Sequence, residues 1–246
     1  MWDYFRRLNT ENGCNYRYIM RMDEESFIHS KIEYNLFDKM RDNDWSYGYR
    51  SCSYEMRHVD KVFLKYQETQ PAGSVVAKRD FVGQNLCGFY NNWFIADLQF
   101  FLSTEVQGFL RYADQSGTMY KHRSNDLILQ TAAVYAFCDP AKIHRFLDFT
   151  YQHFTSYHDS GCPMWGSLAT GHNDLHAAEI VNDFVHEMRE KGCPREDEAF
   201  KFRVVNLPTS DLSPSYNHLS SHLANITLRH VKVGLVDMPG RGPTSG

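Results

Sequence analysis

Residues 16–22, YRYIMRM, alternate aromatic or aliphatic side chains with basic or polar ones. That period of two, with its β-favouring content, predicts a strand that ends where Asp23, Glu24 and Glu25 follow together. Ile32, Leu36, Phe37 and Met40 then recur at helical spacing and predict a helix over residues 33–42, closed by the polar run RDND. Strand followed by helix is the alternation of an α/β layer. Residues 45–54, WSYGYRSCSY, predict a short strand leading to Glu55. Val59, Val62, Phe63 and Tyr66 give an amphipathic helix after it, and QPAGS at 70–74 reads as a loop.

Leu98, Phe101, Leu102, Val106, Phe109 and Leu110 form one helical face reaching to about residue 112, with Gly117 in the following turn. Residues 126–137, DLILQTAAVYAF, are apolar nearly all round and predict a buried helix, stopped by Asp139 and Pro140. Residues 143–149 predict a short strand leading to Tyr151, Gln152 and His153. Leu175, Ala178, Val181, Phe184, Val185 and Met188 mark the apolar face of an acid-capped helix over 173–191. FKFRVVNL at 200–207 predicts a strand, and 239–246 a frayed tail. There are no internal repeats and no low-complexity block.

Composition narrows the class. With 246 residues, 42% hydrophobic and 15% aromatic, the chain can bury a substantial core and is no disordered polymer; one domain is expected. Mean hydropathy is -0.52, and no apolar run approaches the roughly 18 residues that suggest a membrane-spanning helix. The formal charge of -4 and the scattered lysines and arginines give no basic face, so nucleic acid is excluded as a partner. Cys14, Cys52, Cys87, Cys138, Cys162 and Cys193 lack the close pairs of a zinc site. Their even number permits disulfides in an oxidising compartment without fixing the pairing. Asn225, Ile226 and Thr227 form a glycosylation sequon, and the opening MWDYFRRLNTENG shows neither an apolar signal core nor an anchor.

Few residues announce chemistry unaided. Asp23, Glu24 and Glu25 can be a solvated acidic turn or an oxygen ligand set for a hard divalent cation. Glu55 by itself is a surface acid before a helix, and His153 by itself a packed or surface imidazole. His153 and His158 lack the spacing and the glutamate of a zinc protease helix, and Gly83 and Gly88 bracket no phosphate loop.

Residues 84–101, QNLCGFYNNWFIADLQFF, set asparagines and one acid among aromatics. The segment resembles the signature of the fungal-type α-1,2-mannosyltransferases, glycosyltransferase family 15, which reads YNLCxFWSNFEIADLxFF. Asn85, Leu86, Cys87, Phe89, Asn92, Ile95, Ala96, Asp97, Leu98, Phe100 and Phe101 match without a gap. The resemblance spans about residues 16–163. It implies an α/β fold of the GT-A kind, a mixed sheet flanked by helices that lacks the N-terminal part of the usual catalytic domain. On this reading residues 1–165 are the mannosyltransferase-like core and 166–246 a divergent C-terminal part of the same domain.

The same resemblance implies site residues. Against the family's YxYYWRVEPDVKF, Asp23 lands on the glutamate that binds manganese, with Glu24 in place of a proline. His153, in DFTYQHF, lands on the histidine that coordinates the same ion. Glu55 closes SYGYRSCSYE as a glutamate closes the family's YGFxxSLYE in the sugar pocket, Asn85 falls on the pocket floor, and Tyr120 survives from YERWGDAPVHS. Phe94 stands where the family has a glutamate beside the transfer centre, so no catalytic carboxylate is identified. The implied activity is transfer of mannose from GDP-mannose to a mannose-containing glycoprotein glycan, with Mn2+, in the Golgi, where the family is membrane-anchored. The alternatives are a catalytically inactive or truncated sugar- or partner-binding relative, and transfer of a different sugar.

Overall fold

Strand pairing sorts the chain into two units in the computed structural model, which describes residues 2–53, 60–78, 88–122, 124–157, 163–172, 174–192 and 201–205. One unit is the chain up to Arg21 with Leu36–Arg145. The other is Met22–Asn35 with the described residues from Phe146 to Val205.

The first unit is built on four strands: β1 (Tyr18–Met22), β3 (Tyr47–Tyr49), β6 (Trp93–Asp97) and β7 (Ile143–Arg145), in the order β1-β6-β3-β7. β3 runs antiparallel to β6 and parallel to β7, so the sheet is mixed. The short strand β4 (Cys52–Ser53) pairs with β5 (Gly88–Phe89) beside it. The expected strand over 45–54 is thus two pieces interrupted at Arg50 and Ser51. Helices α1 (Trp2–Glu11), α2 (Leu36–Asp42), α3 (Lys65–Glu68), α4 (Leu98–Phe101), α5 (Thr104–Gln115), α6 (Thr118–His122) and α7 (Asp126–Phe137) complete this unit.

The helical face expected from Leu98 to about residue 112 is divided. Asp97 caps α4 by accepting from the Gln99 N–H, and Ser103 caps α5 by accepting from the Val106 N–H, so a second start signal breaks the run. α7 keeps its expected limits, with Asn125 accepting from the Ile128 N–H and Asp139 and Pro140 beyond its end. Leu127, Ala132, Ala133, Val134 and Ala136 are all buried, as an all-round apolar helix requires.

The core of this unit is aromatic. Tyr47 lies 5.2 Å from Phe89 and 5.8 Å from Phe94 between ring centroids, and Trp2 stacks on Phe101 at 3.8 Å. The Tyr47 hydroxyl is satisfied inside this core by the Gln130 side-chain amide at 2.7 Å. Burial pushes the phenols of Tyr47, Tyr49 and Tyr135 up, because their anions would have to form in an apolar setting. A group whose folded pKa is raised keeps its proton longer in the folded state, so its contribution is lost as pH climbs past the free phenol value of about 10. Urea midpoints are expected to fall above that pH, and Tyr47→Phe to reduce the slope; an unchanged slope would contradict the buried, protonated assignment.

The second unit holds β2 (Ser26–Ile28), β8 (Tyr151–Tyr157), β9 (Pro163–Ala169) and β10 (Lys201–Val205), in the order β10-β9-β8-β2, with helix α8 (Ala177–Glu190). β10, the strand expected within 200–207, joins parallel to β9. α8 is shorter than its predicted span. Leu175, assigned to the apolar face, precedes the helix and is 94% exposed, whereas Ala177 and Val181 are buried.

A polar knot ties this unit together around Thr150. Its hydroxyl donates to Asp174 and accepts from the Gly171 N–H at 3.0 Å, while its own N–H donates to Ser30 Oγ at 2.6 Å. Gly171 must approach the chain closely: a Cβ built on it would sit 2.7 to 2.8 Å from the backbone of Phe149. Gly171→Ala should therefore destabilise by about 2 kcal/mol or more, read as a drop in urea midpoint. A change within experimental error would show that the two segments separate freely.

Among the described residues no helix is long and apolar enough to cross a membrane.

Candidate functional site

Asp23 and His153, 130 positions apart in sequence, lie in the same unit, where three pairs of antiparallel register join the strand after Asp23 to the strand that carries His153. Ser26 faces His153, Phe27 faces Gln152 and Ile28 faces Tyr151. Asp23 occupies the turn that feeds β2, where its carbonyl accepts from the Ser26 N–H at 3.0 Å. The local sequence explains the turn: after the alternation of β1 ends, the three acids prefer water to a sheet face.

His153 is 3% exposed, and its Nδ1 lies 3.1 Å from Ser26 Oγ. Ser26 Oγ is in turn 2.7 Å from the hydroxyl of Tyr151, which is wholly buried. The imidazole is therefore oriented by a hydroxyl pair within the same sheet. Ser26 carries no direct signal in the sequence, because a lone serine after three acids reads as part of a solvated turn. On the neighbouring stretch His29 Nε2 is 2.6 Å from Gln152 Oε1, and the Tyr34 hydroxyl donates to Asp148 at 2.5 Å. Burial, reinforced by that carboxylate, holds the Tyr34 phenol well above its ordinary pKa.

The described residues contain no group of three or more histidine, cysteine, aspartate or glutamate side chains able to hold a metal by themselves. A carboxylate with one neighbouring imidazole is nonetheless a sufficient protein contribution for an ion such as Mn2+ or Mg2+ that also binds substrate phosphates and water. Asp23 and His153 are residue types that suit such an ion.

Phe94 is not at a solvent-facing centre. Its ring is wholly buried between Tyr47 at 5.8 Å and Trp2 at 6.2 Å, within the aromatic core of the first unit. Asp97, three residues on, is 5% exposed and fully engaged in structure: it caps α4 and receives Arg17 Nε at 3.2 Å. Arg17 also reaches Asp44, whose carboxyl is held below its usual range chiefly by its bond to Lys142. Asp97 is thus a cap and an ion-pair partner, and it does not stand in for the carboxylate that Phe94 lacks.

Tyr120 lies on α6 with 84% of its surface exposed. Glu55 and Asn85 lie outside the described residues. Cys14 carries a free thiol, and the Cys138 thiol donates to the Asp139 carbonyl at 3.5 Å.

Comparison with known proteins gives this edge a context. The family model for glycolipid 2-alpha-mannosyltransferase matches residues 7–173, more than half of the chain. The chain belongs to this family. It is 29% identical over 152 residues to glycolipid 2-alpha-mannosyltransferase 2 of Candida albicans, a match covering 56% of this chain and 32% of that protein. It is 25% identical over 175 residues to the probable mannosyltransferase KTR4 of Saccharomyces cerevisiae, covering 63% and 38%. The X-ray structure of Ktr4p from S. cerevisiae aligns at a TM-score of 0.50 with 24% identity, covering 63% of this chain and 44% of that one. Its complex with GDP aligns over 60% and 42% at 26% identity and a TM-score of 0.49. The chain spans about a third of the length of these curated relatives. The α/β fold with a mixed sheet and flanking helices is that of the family.

Phe94→Glu, which restores the residue type of the family motif, would bury a carboxylate among Trp2 and Tyr47. The variant should lose about 3 kcal/mol or more of stability at neutral pH, measured by urea unfolding. A variant as stable as the parent would mean that this part of the core opens to water.

Proposed function

We propose that this chain is a GDP-mannose-dependent mannosyltransferase-type protein, with Asp23 and His153 holding a divalent cation, Mn2+ by the family resemblance. The observation that supports the reading is the β2–β8 register, which sets His153 opposite Ser26, three residues after Asp23 in the same unit. Membership of a mannosyltransferase family and likeness to Ktr4p, which was solved in complex with GDP, support the nucleotide-sugar donor.

When bound, the cation would neutralise the diphosphate leaving group of the donor. The chain's own residues do the remaining work at this edge. Ser26 and Tyr151 fix the orientation of the His153 ring, and Asp23, in the turn before Ser26, would supply the carboxylate. Glu55, Asn85 and Tyr120 are proposed to meet sugar hydroxyls, with a mannose-bearing glycan as acceptor. The proposed compartment is the Golgi, with membrane attachment as in the family.

A second reading has a specific observation in its favour. Phe94 is buried in a hydrophobic core and Asp97 is committed elsewhere, so the described residues offer no carboxylate at the family's transfer centre. That favours a protein that binds the donor and turns it over slowly or not at all.

Calorimetric titration of the purified chain with GDP and GDP-mannose, with and without Mn2+, separates these. Binding should require the metal, and Asp23→Asn or His153→Ala should weaken it about tenfold or more. Mn2+-dependent release of mannose or its transfer to a mannoside would establish the enzyme; metal-dependent binding without turnover would establish the binding protein. Absence of any GDP binding would overturn both.

A further inference from the structure

Ser26 Oγ sits between two partners from 125 and 127 positions further along the chain, the Tyr151 hydroxyl at 2.7 Å and His153 Nδ1 at 3.1 Å. Tyr151 and His153 are alternate residues of β8, so both side chains leave the same face of that strand. Ser26 of β2 is paired opposite His153. All three side chains belong to residues that are nine-tenths or more buried. The result is a continuous hydrogen-bonded chain, Tyr151–Ser26–His153, held out of bulk water, where each bond is stronger and each wrong pairing costs more.

A serine hydroxyl has one proton to give, and among the described residues Ser26 Oγ meets these two side chains and no third. The chain therefore has two polarities. In the first, Tyr151 donates to Ser26 and Ser26 donates to the Nδ1 lone pair, which places the ring proton of neutral His153 on Nε2. In the second, the Nδ1–H donates to Ser26 and Ser26 donates to the phenol oxygen, which leaves the lone pair on Nε2. The first is favoured in the protein alone. A phenol, with an ordinary pKa of about 10, is a better donor than an aliphatic hydroxyl, and a neutral imidazole nitrogen is the best acceptor of the three groups.

The two polarities answer to different demands on the other ring nitrogen. Nδ1 is committed to Ser26 in both, so a cation held by His153 must meet Nε2 and needs its lone pair. Holding a cation thus selects the second polarity. Nε2 gives its proton to water and Nδ1 takes one up. The Ser26 hydroxyl turns from His153 to Tyr151, and the phenol proton turns away from Ser26. The three side chains carry the same number of protons before and after.

We propose that Ser26 is a positioning residue whose hydroxyl sets the tautomer of His153, with Tyr151 fixing the direction of that hydroxyl: the ring proton is on Nε2 in the protein alone and on Nδ1 once a cation is held. The cation-held state rests on the function proposed above; the polarity in the protein alone does not.

Long-range proton–nitrogen correlation spectra of the full chain, nitrogen-labelled at histidine, read the tautomer at a pH of about 8, above the ordinary imidazole pKa of about 6.5. The His153 signals, assigned by their loss in His153→Gln, should show the Nε2–H pattern in the protein alone. Ser26→Ala should replace that single pattern by a mixture of both tautomers, and Ser26→Thr, which keeps the hydroxyl, should restore it. Should Ser26→Ala fail to fold, Tyr151→Phe removes one hydroxyl and should give the same loss of a single pattern. An Nδ1–H pattern in the parent protein, or an unchanged pattern in the folded Ser26→Ala or Tyr151→Phe variant, would overturn the proposal. Addition of GDP with Cd2+, a diamagnetic stand-in for Mn2+, should convert His153 to the Nδ1–H pattern. Retention of the Nε2–H pattern while calorimetry shows cation-dependent GDP binding would overturn the reversal and spare the donor reading. Failure of GDP to bind with any cation would sink the donor reading, and the Nε2–H pattern with its loss in Ser26→Ala would still uphold the polarity of the protein alone.

Discussion

Three residues of antiparallel pairing hold together the part of this protein on which its proposed chemistry depends. Ser26 to Ile28 lie against Tyr151 to His153, and no local interaction could bring these segments together across some 125 positions of chain. The pairing does more than join them. Because side chains alternate along a strand, a one-residue slip would turn Ser26 away from His153 and replace a hydroxyl-oriented imidazole with one whose orientation is unset. The Tyr151 hydroxyl, bonded to Ser26, and the knot at Thr150, Gly171 and Asp174 defend that register.

The first unit resolves a competition between packing and charge in favour of packing. A position that is acidic in the family motif is occupied by Phe94, which fills the space between Trp2 and Tyr47. Its neighbouring acid, Asp97, is retained but serves as a helix cap and a partner for Arg17. What polar character remains at the start of β6 is neutral, carried by the amides of Asn91 and Asn92. A protein arranged this way recognises by hydrogen bonding more readily than it attacks by a nucleophile, so binding and turnover are separable properties here.

Elements with strong local signals were legible along the chain. β1, α7 and β10 follow from a period of two, an all-round apolar run with breakers, and a β-rich hydrophobic segment, respectively. β6 was not legible, because a strand buried on both faces loses its alternation. The division of α4 from α5 turned on Ser103, a cap whose value depends on where the chain must bend. Of the candidate site residues, Asp23 and His153 became meaningful only through motif resemblance, since one acid among three and one histidine among 12 carry little information alone.

The sequence by itself determined the family, the α/β class and the identity of the two residues proposed to hold a metal, because these are written in spacing and residue type along short segments. Only the tertiary structure decided that Phe94 is core, that Asp97 is structural, that Ser26 orients His153, and that Asn91 and Asn92 are buried with unmet hydrogen-bonding capacity. Each of those depends on which distant segment lies opposite, and strand register, unlike periodicity, is a property of two segments at once.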